Sequence, residues 1–248
     1  MSDFETKLIV LGDSTSGTKL GQIGNDTVGW AEYLNEYLPN TEYTSYNECI
    51  VGWGIRDFFN RKGSKLNIIL SSLEKDDVVL ACYGTLERSP LSRTDFGGFG
   101  ARGSLFGEDD RYEIVYDEHY KVEYKVHTFG WYLRQLAQKV KAKNAKLYFL
   151  SQIPRNTWKN GQHKRTYSIE YAKIMNNIAN ETNVGFLDTN EILSVFLNKV
   201  GQEKAKEFYS PKDASHTTPK GAKVYAKLIL EELHKKYPDD FNFTFVGI

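Results

Sequence analysis

The stretch "LIVLGDSTSGTKLG", Leu8 to Gly21, decides how the chain is read. An unbroken apolar run ends in Gly-Asp-Ser, and small polar residues follow. Apolar character without alternation is what a strand covered on both faces shows. The small polar residues after it mark a tight turn into a helix. Ser14 therefore stands at the carboxyl end of a buried strand. This stretch alone leaves two readings open, a nucleophile or the polar end of a strand.

Working outward, strand patterns recur at 7–11, 43–50, 77–83, 146–151 and 184–187. Helical stripes lie between and beyond them. Trp30, Tyr33, Leu34, Tyr37 and Leu38 share one face, as do Leu66, Ile69, Leu70 and Leu73. Phe129, Leu133, Leu136 and Val140 form a third stripe, Tyr171, Ile174 and Ile178 a fourth. The last runs through Ala222, Tyr225, Ile229 and Leu233, with Pro219 at the first helical position. Strands alternating with helices predict an α/β fold with a parallel sheet and helices on both faces. Such sheets bind ligands beyond the carboxyl ends of their strands. Ser14, Gly52 and Gly84 each follow a predicted strand, which places them on one edge.

The segment 84–128 breaks this rhythm. It is rich in Gly, Arg and aromatics, and "RYEIVYDEHYKVEYKV" alternates as a hairpin does. Because it leaves the third strand's carboxyl end, this long insertion is expected to border the site. The length of 248 residues predicts a single domain, 1–248.

Lys+Arg and Asp+Glu both number 32, so the net charge is zero, which argues against a general nucleic-acid binder. No apolar run approaches the roughly 18 residues of a membrane span. The 16 tyrosines suit sugar contacts and suit a core edge equally well. Cys49 and Cys82 lie in apolar runs, where a free cysteine acts as a small hydrophobe. Neither a disulfide framework nor a metal cluster is expected, and no nucleotide fingerprint is present, so no cofactor is expected either. Asn25-Asp26-Thr27, Asn180-Glu181-Thr182 and Asn242-Phe243-Thr244 match the glycosylation pattern, a tripeptide frequent by chance. The opening "MSDFET" is polar and leads directly into the first strand. No signal peptide is expected, as in an intracellular protein or the mature form of a secreted one. A monomer is expected.

The second chemical feature is "SPKDASHTTPKGAKVYAKLI", from Ser210. A serine hydroxyl is hardly ionised at neutral pH, so as a nucleophile it needs a base, and the base an orienting acceptor. Asp213, three residues before His216, can reach Nδ1 of the imidazole and leave Nε2 to face Ser14. By itself Asp-x-x-His reads equally as a surface loop before a Thr-capped helix.

Together these features resemble the GDSL or SGNH hydrolases: Gly-Asp-Ser after the first strand, Gly after the second and third, Asp-x-x-His before the last helix. "NECIVGWGIRDF", "ARGSLFG", "VHTFGWYLRQL", "LSQIPRNTWKNG" and "DASHTTPKGAKVYAKLI" extend the resemblance to the rhamnogalacturonan acetylesterase branch, from about residue 7 to 235. It implies a three-layer α/β/α sandwich around a five-stranded, flavodoxin-like parallel sheet. It casts Ser14 as nucleophile, His216 as general base and Asp213 as the residue orienting it. The backbone N–H groups of Ser14 and Gly52 become oxyanion donors. The implied reaction is removal of O-acetyl groups from plant cell-wall oligo- or polysaccharide of the rhamnogalacturonan or pectin type, through an acyl-enzyme. Acetylxylan or general short-chain ester hydrolysis is the alternative, as is a catalytically weak carbohydrate binder.

That last alternative comes from a departure. The family's third block reads Gly-x-Asn-Asp, and its Asn amide is the third oxyanion donor; here the block is Gly84-Thr85-Leu86-Glu87. Leu86 cannot donate. Thr85, or a group from the 88–106 loop, is the candidate replacement. Position 54, often a small hydroxyl residue in the family, is Gly54, and Trp53 beside it lines the pocket or the core. Arg155, Asn156 and Trp158 follow the fourth strand. There Arg155 suits a galacturonate carboxylate or a surface acid, and Trp158 a sugar face. Arg56 and Arg102 are weaker candidates for the carboxylate, with Glu87 as a pairing partner for one of these arginines. His119, His127, His163 and His234 read as ordinary surface or edge residues.

Overall fold

The computed structural model describes residues 5–24, 26–38, 42–61, 63–92, 102–118, 121–165 and 168–242. In chain order the strands are β1 (Thr6–Gly12), β2 (Tyr43–Asn47), β3 (Val78–Tyr83), β4 (Tyr112–Asp117), β5 (Val122–His127), β6 (Lys146–Ser151), β7 (Trp158–Lys159), β8 (Gln162–His163) and β9 (Gly185–Leu187). The helices are α1 (Ser14–Gly17), α2 (Leu34–Tyr37), α3 (Ile55–Asn60), α4 (Leu66–Ser72), α5 (Phe129–Lys141), α6 (Ser168–Thr182), α7 (Thr189–Val200), α8 (Gln202–Ala205) and α9 (Pro219–Lys236).

Five strands form one sheet in the order β2-β1-β3-β6-β9, with every pairing parallel. Strand periodicity divides the apolar runs between two cores. Leu8, Val10, Leu80, Cys82 and Leu150 face one side, packed with Trp30, Leu34 and residues of α7 and α9. Ile9, Leu11, Val79, Ala81 and Phe149 face the other, against α3, α4, α5 and α6. Both faces are covered, which is why β3 is buried along its whole length. The predicted α/β architecture is thus a three-layer sandwich. Its strand order reverses at β1, between β2 and β3, the kind of crevice where open α/β sheets bind ligands.

Several elements differ from expectation, and α3 and α7 match no stripe read in the sequence. The second strand stops at Asn47 rather than residue 50. There the Asn47 carboxamide accepts the Cys49 N–H at 3.1 Å and turns the chain. The stripe from Trp30 to Leu38 is not one α-helix: Trp30–Tyr33 is 3-10 and only Leu34–Tyr37 is α. The small β7–β8 hairpin inside "TWKNGQHK" carries too few residues to show an alternation. The predicted hairpin in the insertion is β4–β5, antiparallel from Tyr112↔His127 to Asp117↔Val122. Residues 93–101, 119 and 120 of the insertion, with His119, lie outside the described residues, as do Asn25, Phe243 and Thr244 of the glycosylation tripeptides.

Candidate active site

Register places the site. Gly12 pairs with Cys82 across β1 and β3, and Tyr83 with Ser151 across β3 and β6. Two residues past the Gly12–Cys82 pair, Ser14 and Gly84 leave the same edge of the sheet. On the other side Glu48 N–H bonds Val10 O at 2.9 Å and Ile50 N–H bonds Gly12 O at 3.0 Å. The ladder therefore continues beyond β2 as far as Ile50, and the turn closed by Trp53 N–H on Ile50 O at 3.1 Å carries Gly52 at the same edge of the sheet. Gly52 has φ +77, a left-handed turn that a side chain would strain. Neither the Ser14 N–H nor the Gly52 N–H donates to another group among the described residues.

Ser14 opens α1, whose N-cap is Asp13. The buried Asp13 carboxylate accepts from the Thr15 N–H at 2.8 Å and the Thr15 hydroxyl at 2.7 Å. Burial raises its pKa, while these bonds and the Thr85 side chain oppose the rise. Thr85, a candidate replacement donor, thus has its side chain beside the Asp13 carboxylate.

The loop before α9 comes from the far end of the chain. Thr218 caps α9 by accepting the Gly221 N–H, and Pro219 fills its first turn. Ser210 N–H bonds His216 O at 2.9 Å and closes the loop. Inside it, Asp213 Oδ1 accepts the N–H groups of Ser215 at 2.6 Å and His216 at 2.8 Å. Asp213 Oδ2 lies 2.9 Å from His216 Nδ1, and His216 Nε2 lies 2.9 Å from Ser14 Oγ. A carboxylate on Nδ1 fixes the tautomer with the proton there and leaves Nε2 to accept from the serine hydroxyl. Burial tends to raise the Asp213 pKa, but the His216 N–H, its imidazole and the Ser215 N–H outweigh burial and hold it below the usual carboxylate range.

Two contacts that the sequence does not signal hold this loop over Ser14. Val28 and Thr217 exchange bonds, Val28 N–H to Thr217 O at 3.0 Å and Thr217 hydroxyl to Val28 O at 2.7 Å. The Ser210 hydroxyl donates to Asp26 at 2.7 Å.

The remaining residues singled out in the sequence fall in three places. Leu86 is half-buried in the turn after β3, where Ser89 N–H bonds its carbonyl at 2.9 Å. Gly84 has the Gln152 side chain against it: a Cβ there would meet Gln152 Oε1 at 3.5 Å. Gln152, a buried amide after β6, is a site-edge residue that sequence reading passed over; the register after Ser151 was the available signal. Trp53 packs edge-on against Phe58 at 5.4 Å, with Arg61 over its ring at 5.0 Å, so part of it belongs to the core edge. On the opposite flank, Asn156 N–H bonds Ala214 O at 2.7 Å and ties the turn after β6 to the Asp213 loop. The Asn156 carboxamide accepts the Trp158 indole N–H at 2.7 Å. Arg155 is exposed and makes no ion pair among the described residues. Beside it, a hollow of about 430 Å³ is lined by Asn156, Tyr209, Ser210, Lys212, Asp213 and Ala214, among others.

Several expectations are corrected. Arg56 is buried and donates to Leu91 O and Gly103 O, both at 2.9 Å, so it anchors the insertion rather than facing ligand. Glu87 pairs with no arginine among the described residues. Its buried carboxylate accepts the Gly84 N–H at 2.7 Å and the Ile55 N–H at 2.8 Å. His163 is buried, not at the surface, and its Nε2 meets Arg155 O at 2.8 Å, supporting the turn that presents Arg155. Cys49 and Cys82 are free, and burial pushes both thiols up, Cys82 to about 12. Neither is a thiolate at neutral pH.

No protein-family model matches the chain. It is similar to rhamnogalacturonan acetylesterase of Emericella nidulans, 27% identical over 230 residues, which cover 90% of this chain and 83% of the relative. Among solved structures, a Bacillus subtilis protein superposes with a TM-score of 0.71 at 22% identity over 93% of this chain. The match covers 56% of that protein, so this chain spans little more than half its length. An acetyl xylan esterase, AlAXEase, superposes with a TM-score of 0.60 at 16% identity, over 92% of this chain and 99% of its own. An SGNH hydrolase and a lipase/acylhydrolase share the same architecture. The chain thus has the SGNH hydrolase fold, with its five-stranded parallel sheet and flanking helices.

Proposed function

We propose that this SGNH/GDSL-type ester hydrolase removes O-acetyl groups from an acidic plant cell-wall polysaccharide of the rhamnogalacturonan or pectin type. The observation that carries the reading is the line Ser14 Oγ–His216 Nε2, His216 Nδ1–Asp213 Oδ2, both steps 2.9 Å. In the reaction His216 takes the Ser14 proton as Oγ attacks the acetyl carbonyl. Negative charge gathers on the carbonyl oxygen, and the free N–H groups of Ser14 and Gly52 receive it. The C–O bond to the sugar then breaks, and the His216 proton goes to the leaving alkoxide. Water, deprotonated by the same imidazole, attacks the acetyl-Ser14 ester and releases acetate. Asp213 keeps its proton off throughout and stabilises the imidazolium.

The unpaired, exposed Arg155 supports the acidic-substrate part of this reading, since a guanidinium matches a sugar carboxylate in a bidentate fork. Acetate release from acetylated pectin and acetylated xylan, assayed beside a small aryl acetate, tests it. Faster release from pectin, with the preference lost in Arg155→Ala and aryl acetate turnover unchanged, is the expected result. A preference for xylan would place the enzyme among acetylxylan esterases.

Leu86 supports a second expected result. An oxyanion donor is typically worth about 10²–10³ in rate. Leu86→Asn supplies an amide at the position where the family carries one, and a rise in kcat of about tenfold or more follows if two N–H groups hold the oxyanion alone. Single-turnover acylation rates measure it. An unchanged rate would show that another group already fills that role. Failure of both proteins to turn over any ester would leave a carbohydrate-binding relative.

A further inference from the structure

We infer that Glu87 is a positioning residue that clamps the two loops of the proposed oxyanion site together, and that its carboxylate form is the one competent for turnover. The inference rests on the ester hydrolase reading for its kinetic consequence, while the clamp itself stands on geometry.

One carboxylate spans two elements. Oε2 accepts the N–H of Gly84, at the exit of β3, and Oε1 accepts the N–H of Ile55, at the first turn of α3. Gly84 leads directly to Leu86, and Ile55 lies three residues past Gly52. This one side chain therefore joins the turn that carries Gly52 directly to the turn after β3, beside the longer route through the insertion, where Arg102 Nη1 lies 3.4 Å from Gly52 O and Ser104 N–H bonds Glu87 O at 2.9 Å. Gly54 makes the clamp possible. A Cβ at position 54 would sit 3.0 Å from Glu87 Oε1 and 2.9 Å from Arg102 O. The missing side chain is the space that the carboxylate and the insertion's backbone occupy. The same turn is braced from within, since the Gly54 N–H donates to Asp57 Oδ2 at 2.9 Å.

The carboxylate is held by neutral N–H groups in the interior, with no cation paired to it among the described residues. The charged or titratable groups around it are Asp13 at the end of β1, Cys82 and Tyr83 on β3, Tyr171 on α6 with Arg88 beside it, and, at the Gly54 turn the carboxylate touches, Asp57 on α3, which burial raises to about 6, and Arg102 of the insertion. Burial raises the Glu87 pKa to about 7, the Ile55 and Gly84 N–H groups oppose the rise, and the Asp13 charge adds to it. Protonation converts one of its two strong acceptors into a hydroxyl and weakens one arm of the clamp.

The sign of the stability effect is opposite to that of the activity effect. The folded pKa of Glu87 lies above the ordinary 4.5, so between about 4.5 and 7 the folded state binds more protons than the unfolded. Through this group the protein grows more stable as pH falls across that window, while turnover falls. A merely structural glutamate gives the stability change alone, with no step in turnover tied to the same proton.

The test is Glu87→Gln, which keeps the shape and one acceptor and cannot ionise. At pH 8 we expect kcat to drop by between about ten- and a hundred-fold with KM changed less than about threefold, as for a small misplacement of catalytic groups. The acid limb of log kcat against pH should be steeper in wild type than in the variant by about one unit, the difference being the Glu87 proton. The contribution of this group to the thermal midpoint, expected to grow in wild type from pH 8 to pH 5.5, should be absent in the variant, so the change in midpoint over that range differs between the two. Wild-type kcat in Glu87→Gln, or identical slopes and midpoints, overturns the inference. If the variant does not fold, wild-type protein labelled with nitrogen-15 decides alone. The Gly84 and Ile55 amide resonances should titrate together with a common midpoint near 7, and independent or absent titration overturns it. That readout needs no turnover. Ester hydrolysis insensitive to Ser14→Ala would sink the hydrolase reading without touching the amide titration.

Discussion

Ser14→Ala is expected to lower kcat for an aryl acetate by about 10⁴- to 10⁶-fold, the range seen when a triad nucleophile is removed. The size follows from the geometry. Ser14 is the hydroxyl that His216 Nε2 meets at 2.9 Å. Without it, the imidazole can only activate water, and no acyl-enzyme forms. The substitution removes one half-buried hydroxyl and leaves Asp13 and Thr15 holding the turn, so the thermal midpoint should hardly move. Burst kinetics separate the outcomes. Wild type should release one equivalent of the aryl alcohol ahead of steady state, and Ser14→Ala none. A burst that survives the substitution would place the nucleophile elsewhere.

Asp213→Asn should cost about 10⁴ in kcat, for a different reason. Asp213 Oδ1 receives two backbone N–H groups, from Ser215 and His216, and an Asn carbonyl keeps both. The loop therefore stays closed. What changes is the second atom, which becomes an NH₂ group facing His216 Nδ1. Two donors cannot share that contact, so the imidazole carries its proton on Nε2 and donates to Ser14 where it should accept. A steady-state assay with thermal melts checks this: activity falls steeply, while the midpoint loses only the modest contribution of the carboxylate charge. A loss under about tenfold would make Asp213 only the closure of its loop. In wild type the depressed Asp213 pKa keeps the carboxylate charged through neutral and mildly acidic pH. Its stabilising contribution is present above the ordinary pKa of 3.8 and lost as pH falls through the lower folded value.

Much of the frame was legible because the interior strands are apolar without interruption. Lys146–Ser151 is observed with its predicted bounds, and α9 begins at Pro219 as its proline and preceding threonine foretell. The meeting of Ser14 with His216 could be anticipated because two strand-end motifs must share an edge in a parallel sheet. What could not be read were contacts set by depth. Arg56 looks like any arginine near a site until the insertion folds over it and offers two carbonyls. Glu87 looks like a partner for an arginine until the Ile55 N–H, 32 residues away in sequence, meets it beside the Gly84 N–H. His163 has no neighbouring ligand pattern, and only the two-residue strand Gln162–His163, too short for periodicity to show, buries it. In each case the deciding partner is a backbone group, which carries no side-chain signature.

The Ser14 and His216 side chains lie 202 residues apart in the chain, and Val28 and Thr217, which lock their loops, lie 189 apart. Contacts of such separation are the last that a folding chain closes, because the loop entropy is met before the contact rewards it. The strand carrying Ser14 emerges early from the ribosome, yet the serine has no base until the segment through α9 is made and docked on Trp30 and Leu34. On the proposed mechanism, nascent and truncated chains should be silent toward esters, and activity during refolding should appear only with completion of the whole fold.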